Sequence, residues 1–290
     1  MLDMHTHVWP HAPGTPVPTL RQLEEYCAAA EAAGITELAI TEHCYRFTRI
    51  ADDVLPHWNR PGSADLQAAT DRVLGIEAGG DLDAYVDVLV QAQDRGLPVL
   101  VGIEVDHLPG AADAMDQVLA DYPFDVVLGS VHWLGAWLFD DYGTPAFADQ
   151  WDQREVDEVW ETYIDELLGL ARSGRVDVLA HLDLVKVAGR RPDDLTPHHQ
   201  RLVDGLAGTG VAVEISTSGW LKPAAELYPA PPLLASLHGA GVPFTTASDA
   251  HTVDRIGQRY DDLRLVLADQ GITELVTFRR RAARPYAVER

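Results

Sequence analysis

Seven short runs of apolar and β-branched residues, separated by helix-patterned sequence, constrain the fold of this chain more than any other feature. They are Leu2–His7, Glu37–Glu42, Pro98–Glu104, Asp125–His132, Val176–His181, Val211–Ser216 and Val242–Ser248. Each is apolar on both faces, as strands buried in a parallel sheet are, and not alternating as half-exposed strands are. Helical patterns fill most of the intervals. Thr19 opens one with a capping-box-like start and Gly34 closes it; Leu82–Arg95 carries apolar positions at helical spacing and stops at Gly96. Asp157–Ala171, Leu202–Gly208 and Pro232–Ala240 read similarly. Seven strands with intervening helices predict a closed or distorted parallel barrel. An open doubly wound sheet is the alternative, but no GxGxxG follows the first run.

Two stretches break the rhythm. Residues 44–80 are rich in Pro, Gly and aromatics and are expected to form a loop covering one end of the barrel. Residues 133–154 form a second insertion dense in aromatics, expected either to pack on the barrel or to line a pocket.

The ends of the runs carry the chemistry. His5 and His7 end the first, Glu42 and His43 the second, Glu104 the third, His132 the fourth and His181 the fifth. Glu214 lies inside the sixth, and Asp249 and His251 follow the seventh. In a parallel barrel the C-terminal strand ends converge on one face. Alternate residues of a strand point the same way, so His5 and His7 can grip one ion together. Imidazoles and carboxylates without a thiolate cluster suit zinc, iron or manganese. A carboxylate such as Glu104 can bridge two ions, as in two-metal phosphoesterases. Glu214 is open to two roles, as a ligand or as a partner for a substrate amine. His57, His107, His198, His199 and His238 lie away from strand ends and are read as surface residues or as supports for the ligands.

Charge and composition exclude several classes. A formal charge of −23 opposes nonspecific nucleic-acid binding and means that an anionic substrate needs a local cationic site. Only two lysines, Lys186 and Lys222, stand against twenty arginines, and both follow strand ends. No apolar run is long enough to span a membrane, and the first residues lack a basic start and apolar core, so a soluble cytoplasmic protein is expected. Cys27 reads as a small buried hydrophobe; Cys44, directly after His43, is placed near any site there, and both are expected as free thiols.

The segments DMHTH, TEH, GIEVDHLPG, GSVHW, AHLDLVK, EISTSGWLKPAAELYP and SDAHT occur in an order and spacing that resembles the PHP (polymerase and histidinol phosphatase) superfamily, in its monofunctional histidinol-phosphatase branch. The resemblance runs from residue 3 to about residue 257. It implies a single domain over residues 1–290, folded as a distorted (β/α)7 TIM-like barrel with two or three divalent ions (Zn, Fe or Mn) at the C-terminal strand ends. Carried over, His5, His7, Glu104 and Asp249 hold one ion, and Glu104 bridges to a second held by His132 and His181. His43, His251 and His11 hold a third. The chain departs from the family pattern at His11, only four residues after His7, and at TEH where TDH is commoner, which opens Glu42 as a ligand or a support for one. The implied activity is hydrolysis of L-histidinol phosphate, with Lys222, Lys186, Arg154, Arg191 and Arg255 as candidate phosphate contacts. Asp249, His251 or a water then protonates the leaving alkoxide. Alternatives are another phosphomonoester, a phosphodiester or a nucleotide as substrate, and a noncatalytic metal-binding regulatory protein.

Overall fold

The computed structural model describes residues 1–11 and 17–288. Its strands are β1 (Leu2–Thr6), β2 (Glu37–Ile40), β3 (Val99–Asp106), β4 (Val126–Ser130), a small hairpin of β5 (Trp133–Leu134) and β6 (Trp137–Leu138), β7 (Val178–Leu179), β8 (Ala212–Ser216), β9 (Phe244–Ala247) and a C-terminal hairpin of β10 (Glu274–Arg279) and β11 (Ala282–Ala287). Seven of them form one parallel sheet in the order β1-β2-β3-β4-β7-β8-β9. Every residue of β1, β3, β4, β8 and β9 is buried, as unbroken apolar runs require when helices cover the sheet.

The sheet curls until its ends meet. Asp249 N donates to His5 O at 2.9 Å and His7 N to Ala250 O at 2.7 Å, joining the chain after β9 to β1. Asp3, wholly buried, staples the same seam: it accepts from Ser248 N at 2.8 Å, from Ser248 Oγ at 2.6 Å and from Gly257 N at 3.4 Å. Burial pushes the Asp3 carboxyl up to about 7 in spite of these donors. Between β2 and β3 the backbones pass so closely that a Cβ on Gly102 would lie 2.9 Å from Ile40 O. Glycine is required there by close approach.

Helices α1 (Leu20–Ala32), α2 (Thr48–Asp53), α3 (Ala64–Glu77), α4 (Leu82–Asp94), α5 (Ala112–Ala120), α6 (Pro145–Ala148), α7 (Val156–Arg172), α8 (Thr196–Leu206), α9 (Pro231–Gly239) and α10 (Tyr260–Asp269) supply the crossovers and fill the insertions. Thr19 caps α1 as its sequence predicts, accepting from Gln22 N at 3.2 Å. Tyr85 of α4 reaches under the barrel strands and donates to Ile40 O and Gly102 O at 2.9 and 3.0 Å.

Several expectations need correction. Residues 44–80 are not a loop: α2, α3 and two 3-10 turns occupy them, with Leu66, Ala69 and Leu74 as the apolar face of α3. The fifth strand is only Val178–Leu179, because His181 takes a left-handed backbone (φ 27°) and turns the chain away. Helix α8 starts at Thr196, six residues before the apolar pattern, with Pro197 in its first turn. The aromatic insertion splits between its two expected roles. Trp137, Phe139 and Phe147 are fully buried packing groups, whereas Trp133 and Tyr142 line a pocket. His198 is buried, its ring tilted at 55° to that of Trp160 on α7 with centroids 5.7 Å apart, and is not a surface residue.

Candidate metal centre

The parallel strands all point their C-terminal ends at one face, and the side chains there crowd around Glu104. Strand alternation puts the His5 and His7 rings side by side, with Nε2 atoms 3.0 Å apart. Glu104 Oε2 lies 2.6 Å from His43 Nδ1, 3.4 Å from His5 Nε2 and 3.7 Å from His7 Nε2. Its Oε1 lies 3.2 Å from His181 Nε2 and 3.7 Å from His132 Nε2, and Ser130 Oγ also donates to it. Asp249 Oδ1 closes the circle, 3.6 Å from His7 Nε2 and 3.9 Å from His5 Nε2.

Four sets of ligand atoms come close enough to share an ion: His5, His7 and Asp249; His5, Glu104 and His181; His43, Glu104 and His132; and His7, His43 and His251. They interlock through His5, His7, His43 and Glu104, so this is one polynuclear cradle and not four separate sites. His11 stands apart from these sets. Its side chain is 54% exposed, held 3.2 Å from the Glu77 carboxylate and stacked on His251 at a ring separation of 4.6 Å.

Hydrogen bonds from behind aim the rings. Glu214, buried and behind His5, takes its Nδ1 at 2.7 Å and also accepts from His181 N, so it faces the ligands and not the pocket. Asp106 takes His132 Nδ1 at 2.6 Å. Glu42 lies 3.6 Å from His7 Nδ1 and accepts from Val8 N and Trp9 N at 2.7 and 2.9 Å, the position of a support and not of a ligand. Carboxylate–imidazole pairs of this kind fix the tautomer of a ligating histidine. Arg46 completes the support: fully buried, it donates to Glu42 at 2.9 Å, to Glu77 at 3.0 Å and to Trp9 O at 2.9 Å. Sequence reading missed Asp106, although it stands two residues after Glu104 on the same strand face. Arg46 and Glu77 carry no such signal.

Electrostatics set the protonation states. Burial opposes charge on His5, yet Glu214, Glu104 and Asp249 hold its pKa well above the ordinary histidine value. Burial holds His43 and His251 well below that value, so both rings are neutral with a free lone pair. Burial works against ionised Glu104 and Asp249 too, but the surrounding imidazoles, led by His5, hold both well below the usual carboxylate range. His181 Nδ1, His43 Nε2 and His251 Nε2 are sealed from solvent with no hydrogen-bond partner, and the close approach of Glu104 Oε2 to His43 Nδ1 lacks hydrogen-bond geometry. Buried polar atoms left unsatisfied at this density are costly, and coordination to a cation removes the cost. The donor set fits divalent zinc, iron or manganese.

The cradle opens into a cavity of about 320 Å³ walled by the first insertion through Tyr45 and Glu77 and by the second through Trp133 and Asp140. Lys222 lies on its rim. The other cations are placed differently. Lys186 is buried and engaged by Asp183 at 2.7 Å, Leu227 O at 2.8 Å and Glu226 at 3.0 Å. Arg191 pairs with Glu226 at 3.1 Å, Arg154 lies over the Trp137 ring at 4.8 Å, and Arg255 is exposed on a turn after β9. Cys44 is buried with Sγ 3.9 Å from Asp106, and Cys27 is buried in α1; both are free thiols.

A family model described as the PHP domain matches residues 15–218. A curated relative, the probable histidinol-phosphatase of Deinococcus radiodurans, is 35% identical over 285 residues, which cover 97% of each chain. Among solved structures, the histidinol phosphate phosphatase of Lactococcus lactis, complexed with zinc, L-histidinol and phosphate, superposes with a TM-score of 0.71 at 21% identity. That match covers 97% of this chain and 98% of the other, and at such low identity it speaks to the fold.

Proposed function

This chain belongs to the PHP-domain family, and from that premise we propose that it is a metal-dependent phosphomonoesterase that hydrolyses L-histidinol phosphate to L-histidinol and phosphate. The observation that carries the reading is the interlocked set of imidazoles around Glu104, opening directly into a pocket with a lysine at its rim. The name of the Deinococcus relative and the zinc, histidinol and phosphate of the Lactococcus structure support the substrate and the metal type.

When bound, two or three ions of zinc, iron or manganese supply Lewis acidity to phosphoryl oxygens and lower the pKa of an attacking water. His5, His7 and Asp249 would hold one ion, Glu104 with His132 and His181 would hold another, and His43 with His251 would complete the set, with His11 at its margin. The chain's own groups do the rest. Glu214, Asp106 and Glu42 keep the rings pointed inward. Lys222 neutralises phosphate charge that the acidic protein would otherwise repel. Asp249 and His251, the cradle members on the cavity wall with partly exposed side chains (14% and 22%), are placed to take the proton that the attacking water loses and pass it to the leaving alkoxide. The substrate's chemistry and two reduced, buried thiols suit the cytoplasm. No helix among the described residues is long and apolar enough to cross a membrane.

The test is turnover by purified protein loaded in turn with zinc, manganese and iron. L-histidinol phosphate should be hydrolysed with kcat/KM at least about tenfold above a panel of other phosphomonoesters, a phosphodiester and a nucleotide. Another ester as the preferred substrate would replace histidinol phosphate, and no turnover of any ester would remove the enzyme reading.

A further inference from the structure

Two adjacent aspartates follow the β5–β6 hairpin on the cavity wall, and they differ in one respect. Asp141 is consumed by its own turn: it accepts from Gly143 N and Thr144 N at 2.9 Å each and from Thr144 Oγ1 at 2.6 Å. Asp140 has no hydrogen bond or ion pair among the described residues, and its Oδ1 is sealed from water without a partner. A carboxylate oxygen withdrawn from water in this way is expensive unless something cationic meets it. The turn does not need Asp140, and the neighbouring cations do not serve it: Lys186 is committed to Asp183 and Glu226.

Asp140 also lines the same cavity as His132, His181 and Asp249 of the cradle. Burial, then Asp183, then Asp140 push the Tyr228 phenol up. Aromatic faces of Trp133, Tyr45 and Tyr142 line the same wall. One cavity therefore holds the cradle and Lys222 together with an unpaired carboxylate and aromatic side chains, an arrangement suited to a molecule that carries both an anionic and a cationic group.

We propose that Asp140 is a specificity-determining residue that reads an ammonium group on the alcohol half of the phosphoester. This rests on the phosphomonoesterase reading but not on histidinol phosphate being the substrate. A carboxylate oxygen withdrawn from water and left without its partner penalises the wrong substrate more than an apolar wall can, so the discrimination should be large.

The experiment compares kcat/KM for aminoethyl phosphate and ethyl phosphate, which differ in the ammonium, in the metal-loaded enzyme and its Asp140→Asn and Asp140→Glu variants. The ratio should be about thirtyfold or more in the unsubstituted enzyme, collapse to within about threefold of unity in Asp140→Asn, and recover in part in Asp140→Glu. A ratio near unity in the unsubstituted enzyme, or one that survives in Asp140→Asn, overturns the proposal. Histidinol phosphate against its deaminated analogue, imidazolylpropyl phosphate, repeats the comparison on a larger alcohol: a loss of about tenfold or more supports the proposal, and parity overturns it. Should Asp140→Asn fail to fold, competitive inhibition of the unsubstituted enzyme decides. L-histidinol should inhibit at least about tenfold more tightly than phenylpropanol, and equal inhibition overturns the proposal. Rejection of histidinol phosphate with the aminoethyl-to-ethyl ratio intact would sink the substrate reading alone; turnover of no ester would sink both.

Discussion

Glu214 shows how a single carboxylate can matter without touching a substrate. Its oxygens hold His5 Nδ1 and His181 N, so two rings of the cradle depend on one side chain. Replacing it with Gln keeps the shape but weakens the charge-assisted bond to His5. Metal affinity should fall about ten- to a hundredfold, measured by competition with a chromophoric chelator, while the urea midpoint moves little. Lys222 acts on the other partner. If it neutralises phosphate, Lys222→Ala should raise KM for the preferred phosphomonoester about tenfold or more, on the order of 1.4 kcal/mol, with metal content unchanged. An unchanged KM would return Lys222 to the ordinary surface. At this scale the sequence was legible where strand period and residue type coincide, as at His5 and His7. It was silent on which carboxylates support and which coordinate: Glu42, Glu104 and Glu214 all end or occupy strands, and only three-dimensional distances separate them.

Among the elements, the first insertion contributes most to the site. Its 3-10 turn at Cys44–Arg46 and helix α3 are tied together, and to the end of β1, by the Arg46 guanidinium bridging Glu42, Glu77 and Trp9 O. Removing one partner of a buried ion pair leaves the others charged and unsatisfied. Arg46→Ala should therefore cost about 3–5 kcal/mol in urea unfolding. A loss below about 1 kcal/mol would mean that water replaces the arginine and that the network is looser than drawn. The insertion was read as loop because Pro56, Pro61 and Gly62 interrupt its pattern before α3 begins at Ala64. Helix α5 and the β10–β11 hairpin also escaped notice: α5 is short, and β11 is mostly exposed, so neither carries a strong apolar period. The seven barrel strands were recoverable because burial on both faces leaves an unbroken apolar run; their ends shifted by one or two residues wherever the ligands begin.

Over the whole molecule, the cradle and the barrel stabilise each other. A ligand that binds the folded state alone adds about 2.7 kcal/mol per site when present at a hundred times its Kd. Stripping the protein with a chelator at neutral pH should lower its Tm by several degrees or more, and zinc or manganese should restore it; an unchanged Tm would mean that the ions contribute nothing to folding.

The seam at Asp3 and Ser248 has a consequence for the order of events in the life of the chain. The candidate ligands run from His5 to His251, and Asp249 takes its place beside His5 and His7 where the chain after β9 closes against β1. A growing polypeptide emerging from the ribosome carries His5 and His7 long before their partner carboxylate has been made. Completion of the cradle is thus a late step: a truncated product lacking the last strand would keep the sets centred on Glu104 but not those that need Asp249 or His251.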